Sequence, residues 1–260
     1  AGPGDMGLLT QKALWCIRHA DVLVYDNLAS GAILNEARED AELIYAGKRA
    51  DKHHLRQWET NALLVEKALE GKNVARVKGG DPFIFGRGGE EAQELLKAGV
   101  EFEIIPGVSS SYAAPAYAGI PVTHRDFASS FHVITGHESA DKTGLALDYA
   151  TLAKEEGTLV FLMGLKNLPH IAEELITHGK DPKTPAAVVQ AGTTARQQVV
   201  TGVLESIAET AKTAGIQTPA ITVVGDVVTL QRQLSWLGGK PLFGKRVLLT
   251  GTKPMCEKQR

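Results

Sequence analysis

Two ionisable residues stand where apparent strands end. Asp26 follows Val22-Leu23-Val24-Tyr25, and Lys48, with Arg49 behind it, follows Leu43–Ala46 through Gly47. An acid and an amine at one sheet edge could serve as proton acceptor and as acid or charge stabiliser at a single site. Each also has a plainer role, Asp26 as an Asx-turn or helix cap over Asn27–Ser30 and Lys48 as a solvated surface charge. His53-His54 lies close by in the chain, but adjacent residues do not face the same way, so no metal pair is expected.

The stretch from Val74 to Glu91 adds a place for a ligand. A short β-type run, Val74–Val77, gives way to Lys78-Gly79-Gly80-Asp81-Pro82, then to further glycines at 86, 88 and 89 ahead of a helical pattern. Glycine permits positive φ and close backbone approach; Pro82 fixes its own φ and disfavours the helical region at Asp81. Open α/β sheets bind ligands at loops of this kind, beyond the carboxyl ends of strands. The expectation is a nucleoside or sulfonium ligand lined by backbone, with Asp81 accepting hydrogen bonds; the plainer alternative is a strand–helix connection. Gly2-Pro3-Gly4-Asp5 is a second tight turn that either faces a ligand or only turns the chain. It is not GxGxxG, and neither a GxxxxGK[ST] phosphate loop nor a GxSxG elbow occurs. Thr123-His124-Arg125-Asp126, with Arg49 and Arg87, could grip a polycarboxylate through guanidinium forks, or form a solvated loop. Met163, at a strand end, reads by itself as core filler.

The elements that would position these residues alternate between β-branched runs and helical patterns, which argues for βα units and a largely parallel sheet. Strands are expected at Val22–Tyr25, Leu43–Ala46, Val74–Val77, Phe102–Ile105, Phe131–Thr135, Leu159–Met163, Ala186–Gln190 and Ile221–Val224. Helices are expected at Leu9–Ala20, His54–Glu70, Gly89–Ala98, Ser109–Ala118, Leu168–His178 and Val203–Ala214. Several strands run into glycine, as at Ile105-Pro106-Gly107, Met163-Gly164, Ala191-Gly192 and Val224-Gly225, so one sheet edge is expected to stay open to a ligand. The breaker cluster Ala118-Gly119-Ile120-Pro121 marks a boundary between domains at 1–118 and 119–239. Gly238-Gly239-Lys240-Pro241 begins a further unit, 240–260, in which Lys245–Thr250 reads as a strand whose sheet lies elsewhere.

The 260 residues are 43% hydrophobic and 22% charged with a net charge of −2, so no basic field points to nucleic acid. Cys16 and Cys256 match neither a zinc spacing nor a disulfide framework, and a reducing compartment, the cytoplasm, is expected. No apolar run approaches the ~18 residues of a membrane span, and no signal-peptide pattern occurs. The chain opens at Ala1 without an initiator Met and with no strand ahead of the first turn, which reads as a shortened start.

The blocks GPGD, VYDNL, GKRA, RVKGGDPFIFGRGGEE, IIPGVSS, AYAGIPVTHRD, ITGH and LVFLMGL, in this order, resemble the tetrapyrrole methylase family, which uses S-adenosylmethionine. The long GGDPFIFGRGGEE and IPVTHRD blocks resemble the branch acting on uroporphyrinogen III. The resemblance runs from Ala1 to about Leu237 and implies two α/β domains with the cofactor in the cleft between them. It implies two methyl transfers, to C-2 and C-7 of uroporphyrinogen III, giving precorrin-2 and S-adenosylhomocysteine. By position, Asp26 is the implied proton acceptor and Lys48 the implied proton donor. Pro3, Gly79, Gly80, Asp81, Ile84, Ser109 and Ser110 match cofactor contacts, with Met163, Gly192 and Ala220 added from the second domain. Arg49, Arg87, His124 and Arg125 are candidates for the substrate's carboxylates, and no metal is implied. A homodimer is usual in such families. Lys240–Leu249 resembles the opening of a fused uroporphyrinogen-III synthase. Members of the family also carry a strand before the GPGD turn, so a start at Ala1 is expected to cost the first sheet a strand and the turn its anchor. The competing expectations are a methylase of a later precorrin and a cofactor-binding module without turnover; a nicotinamide oxidoreductase is disfavoured by the missing GxGxxG.

Overall fold

The computed structural model describes residues 1–28, 31–47, 56–136, 147–245, 247, 250 and 251. Its strands are β1 Val22–Tyr25, β2 Glu42–Tyr45, β3 Val74–Val77, β4 Phe131–Thr135, β5 Thr158–Leu162, β6 Pro185–Gln190, β7 Gln198–Val203 and β8 Ala220–Val224. The α-helices are α1 Gln11–His19, α2 Gly31–Leu34, α3 Gln57–Leu69, α4 Gly88–Lys97 and α5 Ser110–Ala118, then α6 Tyr149–Lys154, α7 Leu168–Thr177, α8 Ile207–Thr213 and α9 Gln231–Leu234.

The strands form two sheets. The first is parallel, in the order β2-β1-β3. Its two faces are packed separately, Leu23 and Val77 against Ile17 of α1, Val22 and Val24 against Leu64 of α3. The second has the order β4-β5-β8-β6-β7. Every residue of β5 and β8 is buried, because Leu159 and Phe161 face one core and Val160 and Leu162 the other. Strands covered on both faces read as continuous apolar runs, and both were legible for that reason.

Three expectations need correction. The second sheet is mixed: only β4 and β5 pair in parallel, whereas β5–β8, β6–β8 and β6–β7 are antiparallel. A short connection between β6 and β7 permits a hairpin but no parallel crossover. Strand β7 was absent from the sequence reading, and the helix expected from Val203 starts only at Ile207; pairing of all six β7 residues with β6 claims the chain up to Val203. Phe102–Ile105 is not a strand. It lines, with β3, a cavity of about 420 Å³, and among the described residues no strand pairs with it. The expected strand at Lys245–Thr250 falls partly outside the described residues.

The sheets are joined by a polar clasp. Asp5 donates its backbone N–H to Thr193 Oγ1 (3.3 Å), and its carboxylate accepts from the Tyr117 hydroxyl of α5 (2.8 Å) and from Gly7 N (2.8 Å). Gln197 completes the ring, accepting from Thr193 N at 2.9 Å and donating to Tyr117 O at 3.1 Å. Burial, then the hydrogen bond to Asp5 and its negative charge, push the Tyr117 phenol up to about 12. Because the folded state holds this proton more tightly than the unfolded chain, where a phenol titrates near 10, the contribution is complete below about pH 10 and fades as pH rises toward about 12. Stability from denaturant midpoints across that window is expected to fall more steeply for the unsubstituted chain than for Tyr117→Phe; equal slopes would remove Tyr117 from the clasp.

Candidate cofactor cradle and active site

Three loops meet at the carboxyl end of β3. Gly2 and Gly80 form a two-residue antiparallel bridge, with Gly80 N donating to Gly2 O at 2.7 Å and Gly2 N to Gly80 O at 3.3 Å. The amino group of Ala1 donates to Lys78 O at 3.0 Å and Gly80 O at 3.2 Å. The first turn is therefore joined to the glycine loop through the backbone of Gly2 and Gly80. Gly80 sits at φ +67°, where a side chain is strained, and a Cβ on Gly107 would stand 2.3 Å from Gly80 O. Asp81 ties these loops, its carboxylate accepting from Phe83 N (2.8 Å) and Gly107 N (2.9 Å). Ser109 is buried and caps α5, accepting from Ser111 N, and the backbone of Ser109 and Ser110 lies against Gly80. Bare backbone on three sides is a surface against which a nucleoside can lie closely, so these residues suit the expected cofactor.

The second sheet closes the far side. The β5–β8 register sets Leu162 opposite Ile221, so Met163 and Ala220 fall at the same sheet edge. Gln190 pairs with Ala220, which brings Ala191 and Gly192 there too. Gly192 packs on Ala114 of α5, and Gly4 packs on Thr193 and Thr194. The turn at Gly2–Asp5 thus touches both the Gly80 loop and the Thr193–Thr194 loop, and Met163, Gly192 and Ala220 lie along that same edge of the second sheet. Met163 is not core filler: it is 52% exposed and held at φ +59°. Phe85 and Arg87 also adopt positive φ, at 52° and 58°, in a loop that exposes Phe83, Ile84 and Phe85. Strain of this kind, about 1–3 kcal/mol per residue, persists where the surroundings over-determine it and clusters at ligand sites.

Asp26 lies beside the cradle. Its Oδ1 accepts from Leu28 N at 3.0 Å, the Asx-turn foreseen as its plainer role, and Leu28 packs on Gly79. Its Oδ2 accepts from Arg76 Nη2 at 3.2 Å. The rest of this charge cluster escaped the sequence reading. Arg76 Nε (3.2 Å) and Lys78 Nζ (2.9 Å) both donate to Glu91 Oε1, with Glu91 and Lys78 nearly fully buried. Burial and the neighbouring Arg76 charge push the Lys78 ammonium below its usual range, despite the opposing pull of Glu91. The available signal was alternation: Arg76 of β3 and Lys78, the residue just after it, are two apart along an extended chain and so fall on one side. Removing one member of a buried pair leaves an uncompensated charge, typically about 3–5 kcal/mol.

Lys48 and Arg49 lie outside the described residues. Arg87 forks onto its neighbour Glu90, which holds the guanidinium above its usual range chiefly through that hydrogen bond. His124 and Arg125 stand ahead of β4. Arg125 lines a cavity with Ser130 and Gly157, at the starts of β4 and β5 and so at the other end of these strands from Met163.

The family model for tetrapyrrole (corrin/porphyrin) methylases matches residues 1–208. A uroporphyrinogen-III C-methyltransferase of Bacillus subtilis is 48% identical over all of this chain, which spans only 54% of that protein's length. An S-adenosyl-L-methionine-dependent uroporphyrinogen III methyltransferase of Methanosarcina barkeri is 54% identical over 88% of this chain and 90% of its own. Among solved structures, a Thermus thermophilus uroporphyrin-III C-methyl transferase complexed with S-adenosyl homocysteine superposes with a TM-score of 0.74 at 37% identity, covering 88% of this chain and 96% of that one. A backbone-lined cleft between two α/β sheets, in a sequence matched over most of its length, places this chain in the tetrapyrrole methylase family.

Proposed function

We propose that this chain catalyses the S-adenosylmethionine-dependent methylation of uroporphyrinogen III at C-2 and C-7, giving precorrin-2 and S-adenosylhomocysteine. The observation that carries the reading is the cradle at Gly80 and Gly107, built from bare backbone, with Asp26 fixed at its side. The activities of the Bacillus and Methanosarcina relatives support it. The cofactor would supply an activated methyl group on a sulfonium, so covalent help from the protein is unnecessary. Gly79, Gly80, Ser109 and Ser110 would hold its nucleoside part by backbone, and Met163, Gly192 and Ala220 would close the cleft and exclude water. Asp26 is the proposed acceptor of the ring proton released after methyl transfer. Lys48 is the proposed donor. The exposed Phe83–Phe85 loop would meet the apolar face of the macrocycle. Arg49 and Arg87 are proposed for its carboxylates, where guanidinium forks pair well.

The reading extends to two domains, 1–118 and 119–239, with 240–260 opening a following synthase-like domain, and to a cytoplasmic homodimer. The alignment to the Bacillus subtilis protein runs the whole length of this chain while covering about half of that protein, which is in keeping with a further domain.

Anaerobic incubation with S-adenosylmethionine and freshly generated uroporphyrinogen III is expected to give a product heavier by two methyl groups. Asp26→Ala should lower the rate about 10²–10⁴-fold while leaving S-adenosylhomocysteine affinity by calorimetry nearly unchanged. A folded chain that binds no cofactor would exclude the reading. Gly107→Ala drives a methyl group into Gly80 O and is expected to weaken S-adenosylhomocysteine binding at least about tenfold in the same titration; unchanged affinity would show that the cradle is elsewhere.

A further inference from the structure

We infer that Arg76 is the positioning residue of the reaction, setting the carboxylate of Asp26 against the cradle. The inference rests on the methyltransferase reading and on Asp26 as proton acceptor. Arg76 is largely buried and distributes its donors over four acceptors: Asp26 Oδ2 at 3.2 Å, Val24 O at 3.3 Å, Val77 O at 2.9 Å and Glu91 Oε1 at 3.2 Å. Two of these are carbonyls near the carboxyl ends of β1 and β3, the strands that carry Asp26 and the glycine turn. The planar fork thus measures Asp26 against both strand ends. A lysine ammonium, a point charge with three donors, cannot satisfy the same set.

The cluster is balanced. Asp26 from β1 and Glu91 from α4 carry two negative charges; Arg76 and Lys78, from β3 and the residue after it, carry two positive ones. Gln57 of α3 adds a neutral donor to Glu91 Oε1 at 3.2 Å. With Lys78 sharing Glu91, the Arg76 guanidinium keeps one nitrogen for Asp26. The other Asp26 oxygen is committed to Leu28 N, so the carboxylate is held from two sides. Misplacement of such a group by about 1 Å can cost about a hundredfold in rate.

The test is a mutant cycle on the full chain, with kcat, KM and S-adenosylhomocysteine affinity read separately. Arg76→Met is expected to lower kcat about a hundredfold with cofactor affinity changed by less than about threefold, and Arg76→Lys to restore only part of the rate. On an Asp26→Asn background, followed by its residual single-turnover rate, adding Arg76→Met should change the rate less than about twofold, since coupled residues are non-additive. The same cycle with Arg76→Gln/Glu91→Gln preserves charge balance and carries the test if Arg76→Met does not fold. An undiminished kcat in Arg76→Met, or equal rate losses on both backgrounds, would overturn the inference. Full activity in Asp26→Asn would overturn it too while leaving methylation standing, whereas no methylation by the unsubstituted chain would end both.

Discussion

The peptide group at Gly80 is where the site is made. Its carbonyl accepts from the Ala1 amino group and from Gly2 N, its amide donates to Gly2 O, and its φ of +67° aims both. Gly107 comes so close to the same carbonyl that no side chain fits between. Three segments distant in sequence are thereby held at backbone separation, and Asp81 locks the geometry by accepting from Gly107. A carboxylate bonded to backbone N–H groups is a charge-assisted brace, stronger than a neutral hydrogen bond. With the brace in place, the loops meet through their peptide groups at Gly2, Gly80 and Gly107.

From that point the two sheets acquire different duties. The parallel sheet supplies charge: Asp26 at the end of β1, Arg76 in β3 and Lys78 just beyond it, neutralised by Glu91 on α4. Such a cluster contributes little net stability, because desolvation consumes much of the Coulombic gain. Its value is geometric, since each member has one arrangement in which all are satisfied. The mixed sheet supplies a wall. Its core strands bury every residue, and one edge carries Met163, Ala220 and Gly192 together, none of them reactive.

The clasp of Asp5, Tyr117, Thr193 and Gln197 makes the cleft one object. Asp5 belongs to the turn that bridges Gly80, and Thr193 belongs to the edge that brings Gly192. Positive φ at Met163, Ala191 and Thr193 falls on the same edge, as expected where a loop is shaped by its surroundings and not by its own preference.

The chain by itself determined its α/β class, most strand positions and the glycines at which the loops around Gly80 meet. β-Branched runs mark strands because both faces are buried, and Gly79, Gly80 and Gly107 mark places where side chains cannot go. Local pattern also placed Asp26 at a strand end and read its Asx-turn. The antiparallel pairing of β6, β7 and β8 was not legible, because strand direction depends on partners and β7 alternates too weakly to announce itself. The segment Phe102–Ile105 has a strand's composition but no strand beside it in the described structure, and a ladder needs two members. Arg76, Lys78 and Glu91 look like ordinary surface charges in the sequence. Only the ion pairs that bring Glu91 of α4 against Arg76 and Lys78 bury them together, and burial is what turns three separate charges into one cluster that holds Asp26.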